Sequence, residues 1–360
     1  MHRRTFLKST AIGAAASTLA APAIAQQRRE LVMVMTWPKK TPGVGVNAER
    51  FVDNVTALTG GGLNIKLYGA GDLVPAFESM EAVSAGTADL CHSTPYYWVG
   101  KEKAFNYFTG VPFGLTAQEM AAWINFGGGQ ALWEEVYEPF GIQPFYAGSS
   151  GTQAGGWFRK EVNTPDDFRG LKFRIAGLGG EVLRRMGATT VMVPPGEIAP
   201  ALMSGAVDGA DWIGPWNDLA FGLYRAAKYY YMPGPLEPGP GLEIIANKKV
   251  YEDLPPDFQA AIRVAAKATS EETLADFNYH NAVSLEPLIS KHGVELRRFS
   301  DEILKVMAEN SRDVVEELGR TDATTEKVHA SFKTFLTQAR AYAPRAEGGF
   351  LDAREMTGEV

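Results

Sequence analysis

The sequence predicts an α/β fold divided into two lobes. Near the N-terminus, residues 31–35 form a short apolar run typical of a buried strand, and residues 48–58 carry apolar residues at helical spacing. A glycine cluster follows, and residues 63–67 then alternate as a strand does. A strand, helix, strand order is typical of α/β architecture. About 335 residues remain once an N-terminal export segment is removed, more than one hydrophobic core usually organises.

A weak internal repeat also favours two related lobes. Residues 82–89 match the pattern of residues 201–208 at a constant offset of 119 positions. Each segment predicts a helix that ends at a glycine, followed by a short strand. The first strand leads to His92 and the second to Asp211. Equivalent strand ends in two lobes would face one cleft.

The next predicted strand, residues 171–175, alternates between two faces. Its apolar residues face the core, while Lys172 and Arg174 take the other face. Glycines at 177, 179 and 180 allow the backbone to approach another group closely before a helix over about 181–186.

Two helices are expected in the C-terminal third. Pro255 and Pro256 open a long helical stretch that continues to about Ser284, and Pro287 should end or kink it. A last helix is expected from about 326 to 341.

The first 25 residues have the pattern of an export signal. A basic start with Arg3-Arg4 precedes a short apolar run and an Ala23-Ile24-Ala25 cleavage site. The arginine pair favours the twin-arginine route, and we predict cleavage after Ala25. A membrane anchor is the alternative, but the apolar run is shorter than the roughly 20 residues that span a bilayer.

Charge and cysteine content exclude several classes. The formal charge is −7; removing Arg3, Arg4 and Lys8 leaves 32 basic and 42 acidic residues, or −10. An acidic chain is a poor partner for nucleic acid or an anionic membrane surface. Cys91 is the only cysteine, so the chain can form neither an internal disulfide nor a cysteine-based metal or haem site.

Two charged residues are candidates for a binding site, and each has an ordinary structural alternative. Arg174 precedes glycines that clear space, and a guanidinium can grip a carboxylate with two parallel hydrogen bonds. Most strand arginines, however, reach solvent or pair with a surface acid. Asp211 lies at a strand end between large aromatics; if buried, it must be paired, hydrogen-bonded or metal-bound. A helix N-cap or a surface acid is the structural alternative.

Aromatic clusters could wall a pocket, although most aromatic residues belong to cores. The clusters are Tyr96-Tyr97-Trp98, Trp157-Phe158, and Trp212 with Trp216. Common enzyme motifs for zinc proteases, serine hydrolases, phosphate-binding loops and haem attachment do not occur in the sequence. The histidines are scattered, and His92 could line the cleft or be structural.

Several motifs together resemble the periplasmic solute-binding subunits of TRAP transporters, the tripartite ATP-independent type. The resemblance covers nearly the whole mature chain and rests on segments 94–98, 151–158, 171–177, 211–215 and 229–234, with 237–239, 242–243 and 247–248 after them. The set is most similar to the subgroup that binds 2-oxo or 2-hydroxy monocarboxylates together with a cation.

This resemblance implies a periplasmic two-lobed binding-protein fold of type II-like form, with mixed sheets, hinge segments and a long C-terminal helix. It implies that Arg174 holds the solute carboxylate and that Tyr96, Tyr97 and Trp212 shape the pocket. Gln153, Asp211, the Trp212 carbonyl and Glu237 match cation-site positions, with Glu243 as the alternative to Glu237. Two acids favour calcium over sodium by charge count. Membrane subunits of the transporter and, in some members, a homodimer are the implied partners.

The expected organisation has four parts. The boundaries are a cleaved signal peptide at 1–25, a first lobe at 26–150 plus about 240–270, a second lobe at 151–239 plus about 271–325, and a C-terminal helix and tail at 326–360.

Alternative functions remain open at this point. Within the binding class, the alternative is a metal-free receptor for a dicarboxylate or sugar acid. A twin-arginine-exported, metal-dependent enzyme is the second class, but no histidine or cysteine base is placed beside the proposed site. A sensor or scaffold protein without a transporter is the third. We therefore expect a binding protein and not an enzyme.

Overall fold

Two mixed β-sheets organise the chain. The structure is a computed structural model that describes residues 28–358; the predicted signal peptide lies outside the described residues. The strands are β1 Arg29–Met35, β2 Leu63–Tyr68, β3 Leu90–Ser93, β4 Ile142–Ser149, β5 Gly156–Phe158, β6 Lys172–Arg174, β7 Thr189–Val191, β8 Gly209–Ala210, β9 Tyr229–Tyr231, β10 Gly241–Asn247 and β11 Glu295–Arg297.

Helices cover both sheets. They are α1 Val44–Leu58, α2 Ser79–Ser84, α3 Phe105–Thr109, α4 Ala117–Phe126, α5 Gly129–Tyr137, α6 Gly177–Arg185, α7 Ile198–Ser204, α8 Pro215–Phe221, α9 Lys248–Glu252, α10 Pro256–Ser290, α11 Asp301–Leu318, α12 Ala323–Tyr342 and α13 Glu347–Glu355. None of the helices between residues 28 and 358 is both long and apolar enough to cross a bilayer.

The sheets are joined by two crossover segments and one helix. The first sheet has the order β2-β1-β3-β10-β4 and the second the order β11-β9-β5-β8-β6-β7. The chain passes from the first to the second at residues 150–155 and returns at 232–240. Helix α10 packs against α1 and β4 at one end and against α8 at the other. At about 1.5 Å per residue it extends over roughly 50 Å, so it spans both halves.

The internal repeat of the sequence is also a repeat of structure. Gly86 and Gly205 both adopt left-handed backbones, with φ of 78° and 79°. After them, Thr87 N donates to Ala82 O and Ala206 N to Ala201 O, equivalent bonds at the offset of 119.

The aspartates that end the two repeated segments also make matching contacts. The Asp89 carboxylate accepts from Val32 N at 2.7 Å, and the Asp208 carboxylate accepts from Lys172 N at 2.9 Å. Asp89 thus links the start of β3 to its parallel neighbour β1, and Asp208 links the start of β8 to its parallel neighbour β6. The repeat therefore places β3 and β8, with the residues that follow them, in equivalent positions of the two halves.

Two predicted helix boundaries were wrong. Helix α6 begins at Gly177 instead of 181, because the glycines let its first turn pack tightly: a Cβ at Gly177 would lie 2.6 Å from the Tyr96 ring. Helix α10 does not stop near Ser284 but continues through Pro287 to Ser290. A proline so close to the C-terminus removes one helical hydrogen bond, and burial of Leu288 holds the final turn in place.

Candidate functional site

Arg174, the last residue of β6, is completely buried. Lys172, on the same face of the strand, is exposed, so this face meets solvent at one end and the molecular interior at the other. The Arg174 Nη1 donates to the Asp211 carbonyl at 2.6 Å, and the guanidinium lies 5.7 Å from the centre of the Trp212 ring. Its Nε has no partner among the described residues. The Nη2 donates to Val193 O in a longer bond of 3.4 Å. The guanidinium is therefore anchored mainly through Nη1, and Nε is available.

Asp211 and Trp212 follow β8, in the turn that leads into α8. Behind this turn, the Asp218 carboxylate accepts from Trp157 Nε1 at 2.9 Å, Tyr230 Oη at 2.8 Å and Ile213 N at 3.3 Å. These donors only partly offset burial, which raises the pKa of Asp218 to about 6. Asp218 therefore fixes the turn that presents Asp211.

Gln153 and Glu237 come from the two crossover segments, which run side by side. Gln153 N donates to Glu237 O at 3.0 Å, and Gly234 N donates to Gln153 O at 2.8 Å. The Gln153 amide nitrogen donates to Ser150 Oγ at 3.1 Å, which leaves its oxygen as an acceptor. Both side chains are buried. The backbone pairing of the crossovers thus brings an amide oxygen and a carboxylate to the junction of the two halves.

The two acids at this junction, if both were ionised, would carry more negative charge than the one nearby guanidinium neutralises. Burial, with Asp218 nearby, raises the pKa of Asp211 to about 8 although Arg174 opposes the rise. Burial and the neighbouring Asp211 raise the pKa of Glu237 well above its usual range, again against Arg174. Two buried acids therefore share one guanidinium, and an additional positive charge would favour their ionised forms.

The donor set fits a hard cation. Asp211 Oδ2, Glu237 Oε2 and Gln153 Oε1 are buried and have no hydrogen-bond partner among the described residues. The Trp212 carbonyl likewise accepts no main-chain hydrogen bond from residues 28–358. Oxygen ligands of this kind suit calcium or sodium. Between residues 28 and 358, no group of three or more His, Cys, Asp or Glu side chains is arranged for a metal, so neutral oxygens and a bound anion would have to complete the coordination.

Aromatic rings close the site. Tyr96 and Tyr97 lie on a 3-10 turn, Pro95–Trp98, directly after β3, and their rings stack at 5.0 Å. They share a small cavity of about 20 Å³ with Gln153 and Trp212. A much larger groove, of about 610 Å³ between α5 and α10, contains none of these residues. Asp211 and Glu237 line a separate cavity of about 10 Å³. The unpaired polar groups therefore lie around two small cavities and not in this groove.

One residue of the cavity was not among the candidates predicted from the sequence, and one alternative candidate lies elsewhere. Trp37 lines the same cavity, 6.0 Å from the Tyr97 ring and 6.3 Å from the Trp212 ring; the only sequence signal was a Trp-Pro pair after a buried strand. Glu243 is buried elsewhere, where it accepts from Trp98 Nε1 and Tyr137 Oη, each at 2.8 Å. Its two oxygens are thus occupied, and it does not join Asp211.

Comparison with known proteins identifies the family. The model of the bacterial extracellular solute-binding protein family 7, DctP, matches residues 33–322. A monocarboxylate 2-oxoacid-binding periplasmic protein of Nostoc sp. is 39% identical over 312 residues, covering 86% of this chain and 85% of that protein.

Solved structures agree with this assignment. A TRAP transporter solute-binding protein from Bordetella bronchiseptica, a mixed-occupancy dimer with calcium and picolinate, is 33% identical with a TM-score of 0.90 and covers 92% of this chain and 98% of its own. A TRAP periplasmic solute-binding protein from Pseudoalteromonas atlantica with sodium and pyruvate is 35% identical, with a TM-score of 0.88 and coverage of 90% and 99%. The chain belongs to the DctP family of periplasmic solute-binding proteins that serve TRAP transporters.

Proposed function

We propose that this protein captures a small 2-oxo or 2-hydroxy monocarboxylate together with a bound cation and delivers it to the membrane subunits of a TRAP transporter. The observation that carries the proposal is a group of buried oxygens, of Asp211, Glu237 and Gln153, that have no hydrogen-bond partner within residues 28–358 and lie near the buried Arg174 guanidinium. Such a site is unfavourable when left uncompensated and is completed by a cation with an anion. The relatives that bind pyruvate, picolinate or 2-oxo acids support the same solute class.

Each chain residue has a defined role in this proposal. Arg174 binds the solute carboxylate with the part of its fork that is not anchored to the Asp211 carbonyl. Tyr96, Tyr97 and Trp212 surround the solute and exclude water. Asp211, Glu237, Gln153 and the Trp212 carbonyl hold the cation, which supplies positive charge to the solute's carboxylate and 2-oxygen. Two acids favour calcium, with sodium as the alternative.

Closure of the two lobes couples binding to recognition by the transporter. The proposed lobes are 26–150 with about 240–270, and 151–239 with about 271–325, and the hinges are the crossovers at 150–155 and 232–240. Two contacts between the halves belong to the closed form: Gly177 against the Tyr96 ring, and Asn217 Nδ2 donating to Pro42 O at 2.8 Å. A solute and cation that contact both lobes favour this form over an open one.

The test is a thermal-shift and calorimetric screen of the protein from residue 26 onward against 2-oxo, 2-hydroxy, dicarboxylic and sugar acids. Each acid is supplied with calcium, with sodium or with chelator. A ligand that binds the folded state raises the melting temperature by mass action. Stabilisation by pyruvate-like or lactate-like acids that disappears with chelator and without sodium supports the proposal. Stabilisation only by dicarboxylic or sugar acids, independent of cation, supports the metal-free receptor instead.

Two further features belong to the proposal. The C-terminal helix α13 exposes Phe350 and Leu351, and Tyr342 before it is 69% exposed; a homodimer that covers this region is consistent with the dimeric relative. Light scattering that gives a monomeric mass would contradict it. Export by the twin-arginine route predicts that replacing Arg3 and Arg4 by lysine abolishes secretion of the protein.

A further inference from the structure

Trp37 forms one wall of the proposed solute pocket. It follows β1 and is buried between an aromatic ring of each half, Tyr97 and Trp212. The other uncharged residues of the same cavity include Val44 and Leu242. Arg174, Asp211 and Glu237 do not line this cavity. The solute's carbon side chain, and not its carboxylate, would therefore lie against Trp37.

His92 holds the Trp37 ring in position. The Trp37 Nε1 donates to His92 Nδ1 at 2.7 Å, and both residues are buried. An indole nitrogen can only donate, so Nδ1 is the unprotonated nitrogen of the histidine and Nε2 carries the proton. Burial lowers the pKa of His92 to about 3. The acceptor for the indole is thus kept throughout the neutral pH range.

The internal repeat relates His92 to a residue of the proposed cation site. At the offset of 119, His92 corresponds to Asp211, which lies in the proposed cation site. Val32 and Lys172 are bonded equivalently to the repeat aspartates. Trp37 lies five positions after Val32, and Gly177 lies five positions after Lys172. Trp37 and Gly177 therefore correspond to one another. The second half therefore has a carboxylate, Asp211, and a glycine, Gly177, at these positions. The first half has Trp37 and its hydrogen-bond acceptor His92 at the equivalent positions.

We infer that Trp37 is a specificity-determining residue that limits the length of the solute's side chain, and that His92 is the positioning residue that fixes it. This inference rests on the proposed function. The Trp37 ring contacts Tyr97 and Trp212 and donates a hydrogen bond to His92. A change of its rotamer to admit a bulky side chain would break these contacts. Acids with a methyl or ethyl side chain are accepted, and branched five- and six-carbon 2-oxo acids are excluded.

The experiment measures Kd by calorimetry, at saturating calcium, for pyruvate, 2-oxobutyrate and 4-methyl-2-oxopentanoate. The quantity of interest is the ratio of the Kd for the branched acid to that for pyruvate. Removing the wall in Trp37→Ala should lower this ratio at least tenfold, in line with the effect of one or two carbon atoms in an apolar pocket. Trp37→Phe, which keeps a ring, should lower it less. Circular dichroism confirms folding, and Trp37→Phe serves as the test if Trp37→Ala does not fold.

The role of His92 is tested by a matched pair. His92→Asn can retain an acceptor for the indole, whereas His92→Leu cannot. We expect His92→Leu to lower the selectivity ratio and His92→Asn to restore part of it, while the exposed control His292→Leu leaves it at the wild-type value. Equal ratios in His92→Asn and His92→Leu would overturn the positioning role.

The outcomes separate this inference from the proposed function. Wild-type protein that binds none of the three acids contradicts the proposed function. Wild-type protein that binds pyruvate, combined with an unchanged ratio in a folded Trp37 variant, contradicts the specificity inference alone. A wild-type ratio near one also contradicts it, because the wall would then exclude nothing.

Discussion

Arg174 and Asp211 are joined by two hydrogen bonds that do not involve the Asp211 carboxylate. The Arg174 guanidinium donates to the Asp211 main-chain carbonyl at 2.6 Å, and the Asp211 amide donates to the Arg174 carbonyl at 2.9 Å. The arginine is thereby oriented without consuming the carboxylate, whose Oδ2 has no partner among residues 28–358. The positive and the negative group of the site are held together and both remain available.

Replacing Arg174 by alanine should abolish solute binding. The bidentate hydrogen bond to the solute carboxylate is lost, and we expect a Kd increase of at least about 100-fold, typical of truncating one partner of a buried charge pair. Arg174→Lys keeps the charge but not the fork and should weaken binding by about tenfold. Calorimetry measures both. Arg184→Ala, on an exposed pair with Glu181 in the same half, is the control. Unchanged affinity in Arg174→Ala would refute the site.

Neutralising the two acids should separate stability from binding. Because burial raises the pKa of Asp211 and of Glu237, the charged carboxylates are unfavourable in the cation-free protein. Asp211→Asn and Glu237→Gln should therefore raise its melting temperature at pH 8 while removing stabilisation by calcium. Thermal shifts with calcium and with chelator measure both effects. A variant that keeps the wild-type response to calcium would remove that residue from the cation site.

A methyl group at Gly177 should oppose closure. Its Cβ would lie 2.6 Å from the Tyr96 ring in a left-handed backbone, with φ of 62°. We expect Gly177→Ala to raise the Kd for the solute about tenfold or more. The matched control is Gly170→Ala, also at a positive φ but with open space around it. It should lower stability through backbone strain and leave Kd unchanged. Equal losses of affinity in the two variants would contradict a specific role for the contact.

Glu243 should make stability depend on pH. Burial raises its pKa from 4.5 to about 8 although Trp98 and Tyr137 donate to it. The folded state therefore binds this proton more tightly than the unfolded state. The resulting stabilisation is complete below pH 4.5 and is lost as the pH rises to about 8, with a change of at most about 5 kcal/mol. Glu243→Gln should flatten this dependence in urea unfolding at pH 5.5 and 8.5. An unchanged slope would show that Glu243 is ionised throughout.

Family membership also decides between the classes that the sequence left open. The matched family model and the related solved structures are those of solute-binding proteins, so the chain is a receptor and the exported-enzyme interpretation no longer applies. Of the site, the structure brings together Arg174, Asp211, Trp212, Gln153, Glu237, Tyr96 and Tyr97. Their roles as ligands remain predictions.

Local patterns were sufficient where local physics decides the structure. The alternation of residues 171–175, the glycine that ends each repeated helix and the apolar run of β1 each depend on side-chain periodicity or on a single backbone conformation. The start of α6 was missed because glycines are poor helix formers in isolation, and packing against Tyr96 outweighs that preference.

The sequence by itself determined the fold class, the two related units and the identity of the charged candidates, since these follow from periodicity, glycine positions and residue chemistry. Only the tertiary structure decided which candidates share a site. It separated Glu237 from Glu243, and it added Trp37 to the pocket. The position of Glu237 depends on the pairing of the crossovers at 150–155 and 232–240. The position of Trp37 depends on which end of the first sheet faces the second. Contacts between residues more than a hundred positions apart leave no local pattern in the sequence, because only the folding of the whole chain brings such residues together.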